Sequence, residues 1–252
     1  MATTIAISGK GGSGKTTIAA MIIRALTEQS AGPVLAVDAD PNSCLGLTMG
    51  IEVSTTVAEI REKARSKEPN TEGMDRIRLF EYGLQQAVIE AKGFDLLTMG
   101  RPEGPDCYCA VNNLLRRFLD KISTQYSFVV IDNEAGMEHL SRRTTNNVEL
   151  LCIVAEAGPI GTITARRISS LAERLPISVK QTGVIWNDTF GISDSRFPIE
   201  TCQLETFGCV PYDKAVFDAS MQGKTIFELD YNGPAFSAVR RILETKLNLK
   251  KT

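Results

Sequence analysis

The feature that most constrains the fold is a glycine-rich run near the start of the chain. Residues Gly9–Thr17 have the sequence Gly-Lys-Gly-Gly-Ser-Gly-Lys-Thr-Thr, and they follow a short apolar run, Thr4–Ser8. Glycines at these spacings let backbone N–H groups turn inward around phosphate oxygens, and a helix that begins there adds its positive N-terminus. Strand, loop and helix are all in the expected order, which predicts a phosphate-binding loop on an α/β sheet.

Individual residues of this loop have expected roles in binding ATP or ADP with magnesium. Lys15 would reach the terminal phosphates, and the Thr16 hydroxyl would ligate Mg²⁺. The other predicted nucleotide-binding residues of the loop are Gly11, Gly12, Ser13, Gly14 and Thr17. A glycine-rich turn without function is the alternative, but such a turn needs neither the strand before it nor the helix after it.

The rest of the chain alternates short apolar runs with helical patterns, which predicts a mostly parallel sheet with helices on both faces. The predicted strands are Thr4–Ser8, Val34–Asp38, Phe94–Met99, Phe128–Asp132, Leu150–Ala155 and Val179–Trp186, with a short one near Gly208–Val210. The predicted helices are Lys15–Gln29, Val57–Arg65, Val111–Lys121, Gly161–Leu175 and Pro234–Leu247. Residues 66–74 are polar and are predicted to form an exposed loop. Nothing divides the sequence, so we predict a single P-loop ATPase domain over residues 1–252.

Composition argues against several classes of protein. The net charge is −2, so the chain lacks the broad positive field of a nucleic-acid-binding protein. No run approaches the roughly 20 apolar residues that span a bilayer, and the N-terminus has no signal-peptide pattern. We therefore expect a cytoplasmic protein without nucleic-acid or membrane partners. Thiols stay reduced in that compartment, so the six cysteines are expected to be core residues or metal ligands.

Two more runs place carboxylates at predicted strand ends, where ligands bind in open α/β sheets. Asp38-Ala39-Asp40-Pro41 follows the second strand, and Asp132-Asn133-Glu134-Ala135-Gly136 follows the run Val129–Ile131. A carboxylate beside the γ-phosphate can position a water for in-line attack. Asp132 would hold Mg²⁺ through water. The alternative for Asp40 is that it only begins a turn before Pro41.

The early lysine in the glycine-rich loop, Lys10, carries a family resemblance. GKGGSGKTT resembles the deviant Walker A family of nitrogenase iron protein, the septum-site and partition ATPases, and related metal-maturation enzymes. The resemblance implies a homodimer in which Lys10 reaches the partner's phosphates. It also implies that Asp40 is catalytic, that Asp38 supports the first switch, and that Gly136 donates its N–H to the γ-phosphate. A solvated Lys10 is the alternative.

Adenine contacts are implied by the same resemblance alone. They fall on Asn187, in the run Ile185–Asp188, and on Pro211 and Asp213, in the run Val210–Asp213. Without the earlier motifs these residues would carry no prediction.

Cys107 and Cys109 form the second candidate site. Two thiols at this spacing in a loop rich in glycine and proline can turn towards one metal ion. They cannot complete a four-ligand tetrahedral shell, whereas a two-fold axis through the metal would supply four thiolates. Such ligands suit zinc, iron–sulfur clusters and nickel, and affinity order does not choose among them.

A further resemblance narrows the choice of metal. The runs PEGPDCYCAVNNLLR, residues 102–116, and DNEAGMEHLSRRTT, residues 132–145, are similar to those of the CooC-type ATPases that mature carbon monoxide dehydrogenase. They are equally compatible with the acetyl-CoA synthase counterpart. The resemblance implies nickel delivery to either client, with zinc possible as a surrogate.

Two other functions stay open at this stage. One is an ATP-driven iron–sulfur electron donor, which would need a cluster held by two separate cysteines per subunit. The other is a partition or septum-site ATPase, for which the amphipathic tail helix could lie on a membrane. Phe236, Val239 and Leu243 at helical spacing favour a helix that covers the sheet instead. The remaining cysteines, Cys44, Cys152, Cys202 and Cys209, are predicted to be packing residues. His139 is predicted to be structural or solvated, and an auxiliary metal ligand or a sensor beside Gly136 is the alternative.

Overall fold

One sheet organises the molecule. The computed structural model describes residues 2–66, 76–101, 117–135, 147–187 and 203–249. Within these residues the strands are β1 (Thr3–Gly9), β2 (Val34–Ala39), β3 (Val88–Glu90), β4 (Phe94–Thr98), β5 (Phe128–Asn133), β6 (Asn147–Ala155), β7 (Ser178–Asn187) and β8 (Glu205–Val210). Their order is β3-β4-β2-β5-β1-β6-β7-β8. All neighbours are parallel except β3 and β4, so the predicted mostly parallel sheet is confirmed.

Helices connect the strands. They are α1 (Lys15–Glu28), α2 (Cys44–Met49), α3 (Val57–Ser66), α4 (Arg76–Gln86), α5 with described residues 117–123, α6 (Pro159–Arg174), α7 (Lys214–Met221) and α8 (Pro234–Leu247). A short 3₁₀ helix covers Ile226–Glu228. The sequence did not predict α2, α4, α7 or β3. Helix α5 ends at residue 123 rather than 121, and its predicted start lies outside the described residues. Ser66 ends α3, and the rest of the predicted loop at 66–74 also lies outside them.

The two faces of the sheet carry different helices. Alternate residues of β2 point to opposite faces: Val34 and Ala36 pack in the cluster that holds α1 and α8, whereas Leu35 and Val37 pack with α3, α4 and α5. Helix α6 packs with part of β6 and β7. The predicted two-faced arrangement is therefore confirmed. On α8, Phe236, Val239 and Leu243 are buried, so this helix covers the sheet. None of the described helices is long and apolar enough to cross a membrane.

A buried arginine joins α1 to a segment far along the chain. The Arg24 guanidinium donates hydrogen bonds to the carbonyls of Ile226 (2.6 Å) and Leu229 (3.0 Å). Its Nε donates to Glu28 (2.6 Å), and its Cζ lies 4.8 Å from the centroid of the Phe236 ring. A buried charge is tolerated when it is hydrogen-bonded in this way. Arg24 thus holds the glycine-rich loop's own helix against residues 226–229.

Removing this side chain should destabilise the fold. We expect Arg24→Ala to lower the free energy of unfolding by about 3 kcal/mol, because it removes charged hydrogen bonds and leaves carbonyls unpaired. The matched control is Lys180→Ala, which breaks the exposed Lys180–Glu149 pair (2.7 Å) and should cost less than about 1 kcal/mol. Urea unfolding curves of both variants check this. Equal losses would show that the Arg24 contacts add nothing.

Candidate nucleotide-binding site

The ends of several strands meet around one cleft, as predicted. The glycine-rich loop joins β1 to α1, and Asp38 of β2 lies directly opposite Asp132 of β5 in the sheet register. A cleft of about 500 Å³ opens there. It is lined by Gly11, Gly12, Gly14, Lys15, Thr16 and Thr17 of the loop and first turn, by Asp40, Pro41 and Asn42, and by Glu134 and Ala135. Its volume is in the range of small-molecule sites.

The glycine-rich loop needs glycine at a specific position. Gly14 has a φ of 88°, in the left-handed region. A Cβ at Gly14 would lie 2.5 Å from Nδ2 of Asn187. That Nδ2 donates a hydrogen bond to the carbonyl of Ser13 at 2.9 Å. Asn187, at the end of β7, therefore holds the loop from the side, a contact that the sequence did not reveal.

The two loop lysines differ in exposure. Lys15 is buried, and its Nζ donates to the carbonyl of Lys10 at 3.3 Å. Lys10 itself is exposed, and among the described residues its ammonium has no partner. Lys15 is thus held inside the cleft lining, while the Lys10 side chain is available to a molecule that approaches from outside.

Asp132 is a buried carboxylate whose oxygens lack hydrogen-bond partners among the described residues. Burial raises its pKa to about 7; the nearby Thr16 hydroxyl lowers it, the charge of Asp38 raises it, and Lys15 lowers it. A carboxylate and a hydroxyl beside a phosphate cleft are the oxygen donors that Mg²⁺ prefers. The residues present therefore fit the predicted magnesium.

Asp38 holds the loop that follows β2. Its carboxylate accepts the backbone N–H of Leu45 (2.9 Å) and of Asp40 (3.2 Å). Burial raises the pKa of Asp38 to about 6, and the two backbone hydrogen bonds partly oppose that rise. The Asp38 side chain thus positions the backbone around Asp40 rather than lining the cleft itself.

Asp40 both begins a turn and lines the cleft. Its Oδ1 accepts the backbone N–H of Asn42 (2.9 Å) and the Asn42 side-chain amide (2.8 Å). Its carbonyl accepts the N–H of Ser43 at 2.9 Å. The turn interpretation is therefore correct, and it does not exclude catalysis, because the same residue belongs to the cleft wall. The catalytic role stays a prediction.

Asp213 has a structural role that the sequence analysis missed. Its Oδ1 accepts the N–H of Ala215 (3.0 Å) as the N-cap of α7, and its Oδ2 accepts the N–H of Ala235 (3.3 Å). An aspartate just before a helix is a known capping signal, which could have found this role. Pro211 follows β8 and is half-buried. The predicted adenine contacts of Asn187, Pro211 and Asp213 stay predictions.

Cys107, Cys109, Gly136, His139 and Cys202 lie outside the described residues. Over the ranges that the structure covers, no group of three or more His, Cys, Asp or Glu side chains could hold a metal ion.

Three other cysteines lie within the described residues. Cys152 is buried in β6, as predicted. The prediction for Cys44 and Cys209 is wrong, because both are exposed. Cys44 begins α2, and Leu45 takes the core position instead. Partial burial and the charges of Asp38 and the neighbouring carboxylates raise the pKa of Cys44, which keeps it a neutral thiol.

The sequence profile of the CobQ/CobB/MinD/ParA nucleotide binding domain matches residues 4–226, from β1 to the start of the 3₁₀ helix. The chain belongs to this family. It is a P-loop ATPase of the MinD/ParA type, and the fold, the glycine-rich loop and the cleft agree with that assignment.

This MinD/ParA-type ATPase is similar to two curated relatives and to one solved structure. An uncharacterized ATP-binding protein of Methanocaldococcus jannaschii is 39% identical, over 98% of this chain and 99% of its own length. The carbon monoxide dehydrogenase accessory protein CooC of Rhodospirillum rubrum is 33% identical, over 89% of each chain. The cell division ATPase MinD of Pyrococcus furiosus superposes with a TM-score of 0.71, at 19% identity and over 98% of this chain and 99% of that chain.

Proposed function

We propose that this MinD/ParA-type ATPase delivers nickel to the active-site cluster of a carbon monoxide dehydrogenase or an acetyl-CoA synthase. The observation that carries the proposal is the 33% identity to the carbon monoxide dehydrogenase accessory protein over nearly the whole chain. The thiol pair Cys107 and Cys109, in the run that resembles CooC-type ATPases, supports it. We take residues 1–252 as one functional domain.

The proposed ATPase chemistry uses the residues around the cleft. Lys15 and the backbone of Gly11–Gly14 would bind the phosphates, and Asp40 would orient the attacking water. Thr16 and Asp132 would hold Mg²⁺, which when bound neutralises charge that builds up on the phosphate oxygens. The raised pKa of Asp132 suits this role, since a cation would restore the charged carboxylate. Asn187 and the Pro211–Asp213 run would border the base.

The proposed nickel site is shared by two copies of the chain. Two thiolates per chain leave a tetrahedral metal half-coordinated, whereas a two-fold axis supplies four sulfurs. Lys10 fits the same dimer, because its exposed ammonium has no described partner in its own chain and can reach phosphates on a facing copy. Nickel is the cargo of this cycle; zinc would bind the same ligands as a surrogate.

The cycle then has two linked states. ATP closes the dimer through Lys10 and the segments around Asp40 and Gly136, which brings the four thiolates together. Hydrolysis reopens the dimer and releases nickel to the client enzyme. Because the coupling between two binding equilibria is reciprocal, nickel must also tighten the dimer.

A nickel titration of cysteine variants tests the proposal. We expect the reduced protein, under anaerobic conditions, to bind about 0.5 nickel per chain and to become dimeric as it does so. Cys107→Ser and Cys109→Ser should each weaken nickel binding at least about 100-fold and abolish nickel-dependent dimerisation, because each removes two of four ligands from the shared site. Bound metal and molecular mass are measured together.

The control is Cys209→Ser, which alters an exposed thiol of β8 and should leave nickel binding unchanged. Unchanged nickel affinity in Cys107→Ser would reject the proposed site. Bound iron with labile sulfide in place of nickel would favour the electron-transfer function. Nickel-independent dimerisation with ATP-dependent cosedimentation on DNA or vesicles would favour a partition function.

A further inference from the structure

The strand that leads towards the cysteine segment is tied directly to Asp38. Strand β4 ends at Thr98, which pairs with Asp38 in register. The next residue, Met99, donates its backbone N–H to the Asp38 carbonyl at 2.8 Å. Asp38 therefore makes two sets of contacts: its side chain holds the N–H groups of Asp40 and Leu45, and its main chain holds Met99.

Met99 is also held from the other side. Its carbonyl accepts the backbone N–H of Ala58 at 2.9 Å, in the first turn of α3. The Met99 residue is buried as well. Hydrogen bonds on both its N–H and its carbonyl leave this residue little freedom to move independently of β2 and α3.

Gly100 closes this junction. It is buried and has a φ of 69°, and a Cβ there would lie 2.6 Å from both Cβ and Oγ1 of Thr56. Thr56 cannot easily move away, because it caps α3. Its N–H donates to Glu59 (3.1 Å), and its hydroxyl accepts the N–H of Glu59 (3.3 Å). This reciprocal capping box fixes the wall against which Gly100 packs.

We infer that Asp38, Met99 and Gly100 form the link that transmits the nucleotide state of the Asp40 loop to the segment carrying Cys107 and Cys109. The inference rests on the proposed function, since it joins the ATP cleft to the proposed nickel site. Cys107 follows Gly100 by seven residues. A shift of the β2 end on ATP binding or hydrolysis moves Met99 with it, because the two share a hydrogen bond. Gly100 is thus a positioning residue, in contact with neither ATP nor nickel.

Two glycines with nearly the same φ, Gly100 at 69° and Gly223 at 67°, allow a matched test. Gly100→Ala introduces a clash with Thr56, whereas Gly223→Ala places a Cβ at a φ of 67° with nothing within 4 Å. Both variants place an alanine at a positive φ of nearly the same size, so their difference reports on the contact at the junction. In a second variant, one glycine inserted between Gly100 and the exposed Arg101 loosens the junction without a clash. The same insertion after Gly223 is its control.

The full-length protein is used, with two readouts. The first is nickel affinity in the presence of Mg-ADP or of a non-hydrolysable ATP analogue. We expect wild type and both Gly223 variants to change nickel affinity about tenfold between the two states, and the Gly100 variants less than about twofold. Basal ATP hydrolysis should stay within about twofold throughout, because no cleft residue is altered. The second readout is amide hydrogen exchange of residues 102–116 without metal, which should respond to nucleotide in the same variants.

The outcomes separate the two proposals. Nucleotide-dependent exchange that is lost in the Gly100 variants and kept in the Gly223 variants supports the link. Retention of the response in the Gly100 variants overturns it, and so does a wild type whose 102–116 exchange ignores nucleotide. If exchange responds as expected but no nickel binds, the link stands and the nickel function fails.

Discussion

Replacing Asp132 by asparagine should strongly slow magnesium-dependent ATP hydrolysis and, at the same time, stabilise the nucleotide-free protein. The first effect follows from the loss of a carboxylate beside Thr16, for which we expect hydrolysis to fall at least about 100-fold. The second follows from burial. An ionised carboxylate with no described hydrogen-bond partner is costly, and Asp132→Asn removes that charge at nearly constant volume.

The size of the second effect can be bounded. A pKa raised from 3.8 to about 7 corresponds to roughly 4 kcal/mol against the ionised form. The new amide must also be buried, which offsets part of the gain. We therefore expect Asp132→Asn to raise the free energy of unfolding at pH 8 by about 1–2 kcal/mol.

The pH dependence has a definite sign. The folded-state pKa of Asp132 lies above its unfolded value, so the folded protein binds more protons between pH 4 and pH 7. Wild-type stability should fall as pH rises through that window, and the penalty is complete above about pH 7. Asp38 adds a change of the same sign up to about pH 6. Denaturation of both proteins from pH 4 to pH 8 should show the gap between them growing with pH; a constant gap contradicts the assignment.

Asp40→Asn should separate binding from hydrolysis. Asparagine cannot polarise the attacking water as a carboxylate does, so we expect hydrolysis to fall about 100- to 1,000-fold. ATP affinity should stay within about threefold, because the phosphates are bound by the glycine-rich loop and Lys15. Single-turnover hydrolysis and equilibrium binding of ATP measure the two effects separately.

The neighbouring asparagine gives the control for this variant. Asn42→Ala removes the amide donor to Asp40 but keeps the carboxylate and the backbone hydrogen bond of residue 42. It should slow hydrolysis by less than about tenfold. If Asn42→Ala is as slow as Asp40→Asn, the Asp40 side chain acts through the turn and not on water.

The sheet and the cleft could be predicted from the sequence, because both depend on local patterns of residues. Buried parallel strands are continuous apolar runs, as in Phe128–Ile131, and the glycine-rich loop has a fixed spacing. Two of the missed elements are too short to show such patterns. Strand β3 has three residues and pairs with β4 only at the sheet edge, and α2 has six residues after a turn.

Long-range contacts explain what else was missed. Asn187 and Ser13 are 174 residues apart, and no periodicity links them. The pKa of Asp132 likewise depends on burial and on neighbours from α1 and β2, which only the fold assembles. Cys44 shows how local position can override residue type. Cysteine is usually a buried residue, but Cys44 is exposed because the next residue, Leu45, occupies the core.

The Arg24 contacts have a consequence for the order in which a ribosome completes this protein. Arg24 emerges early, yet the carbonyl of Ile226 that it binds lies 202 residues downstream, and the Phe236 ring comes later still. Until those residues emerge, the Arg24 guanidinium lacks its carbonyl partners and the Phe236 ring beside it. The helix that follows the phosphate-binding loop can thus pack on β1, β2 and β5 early in synthesis, but its packing is complete only after residues 226–236 have been made.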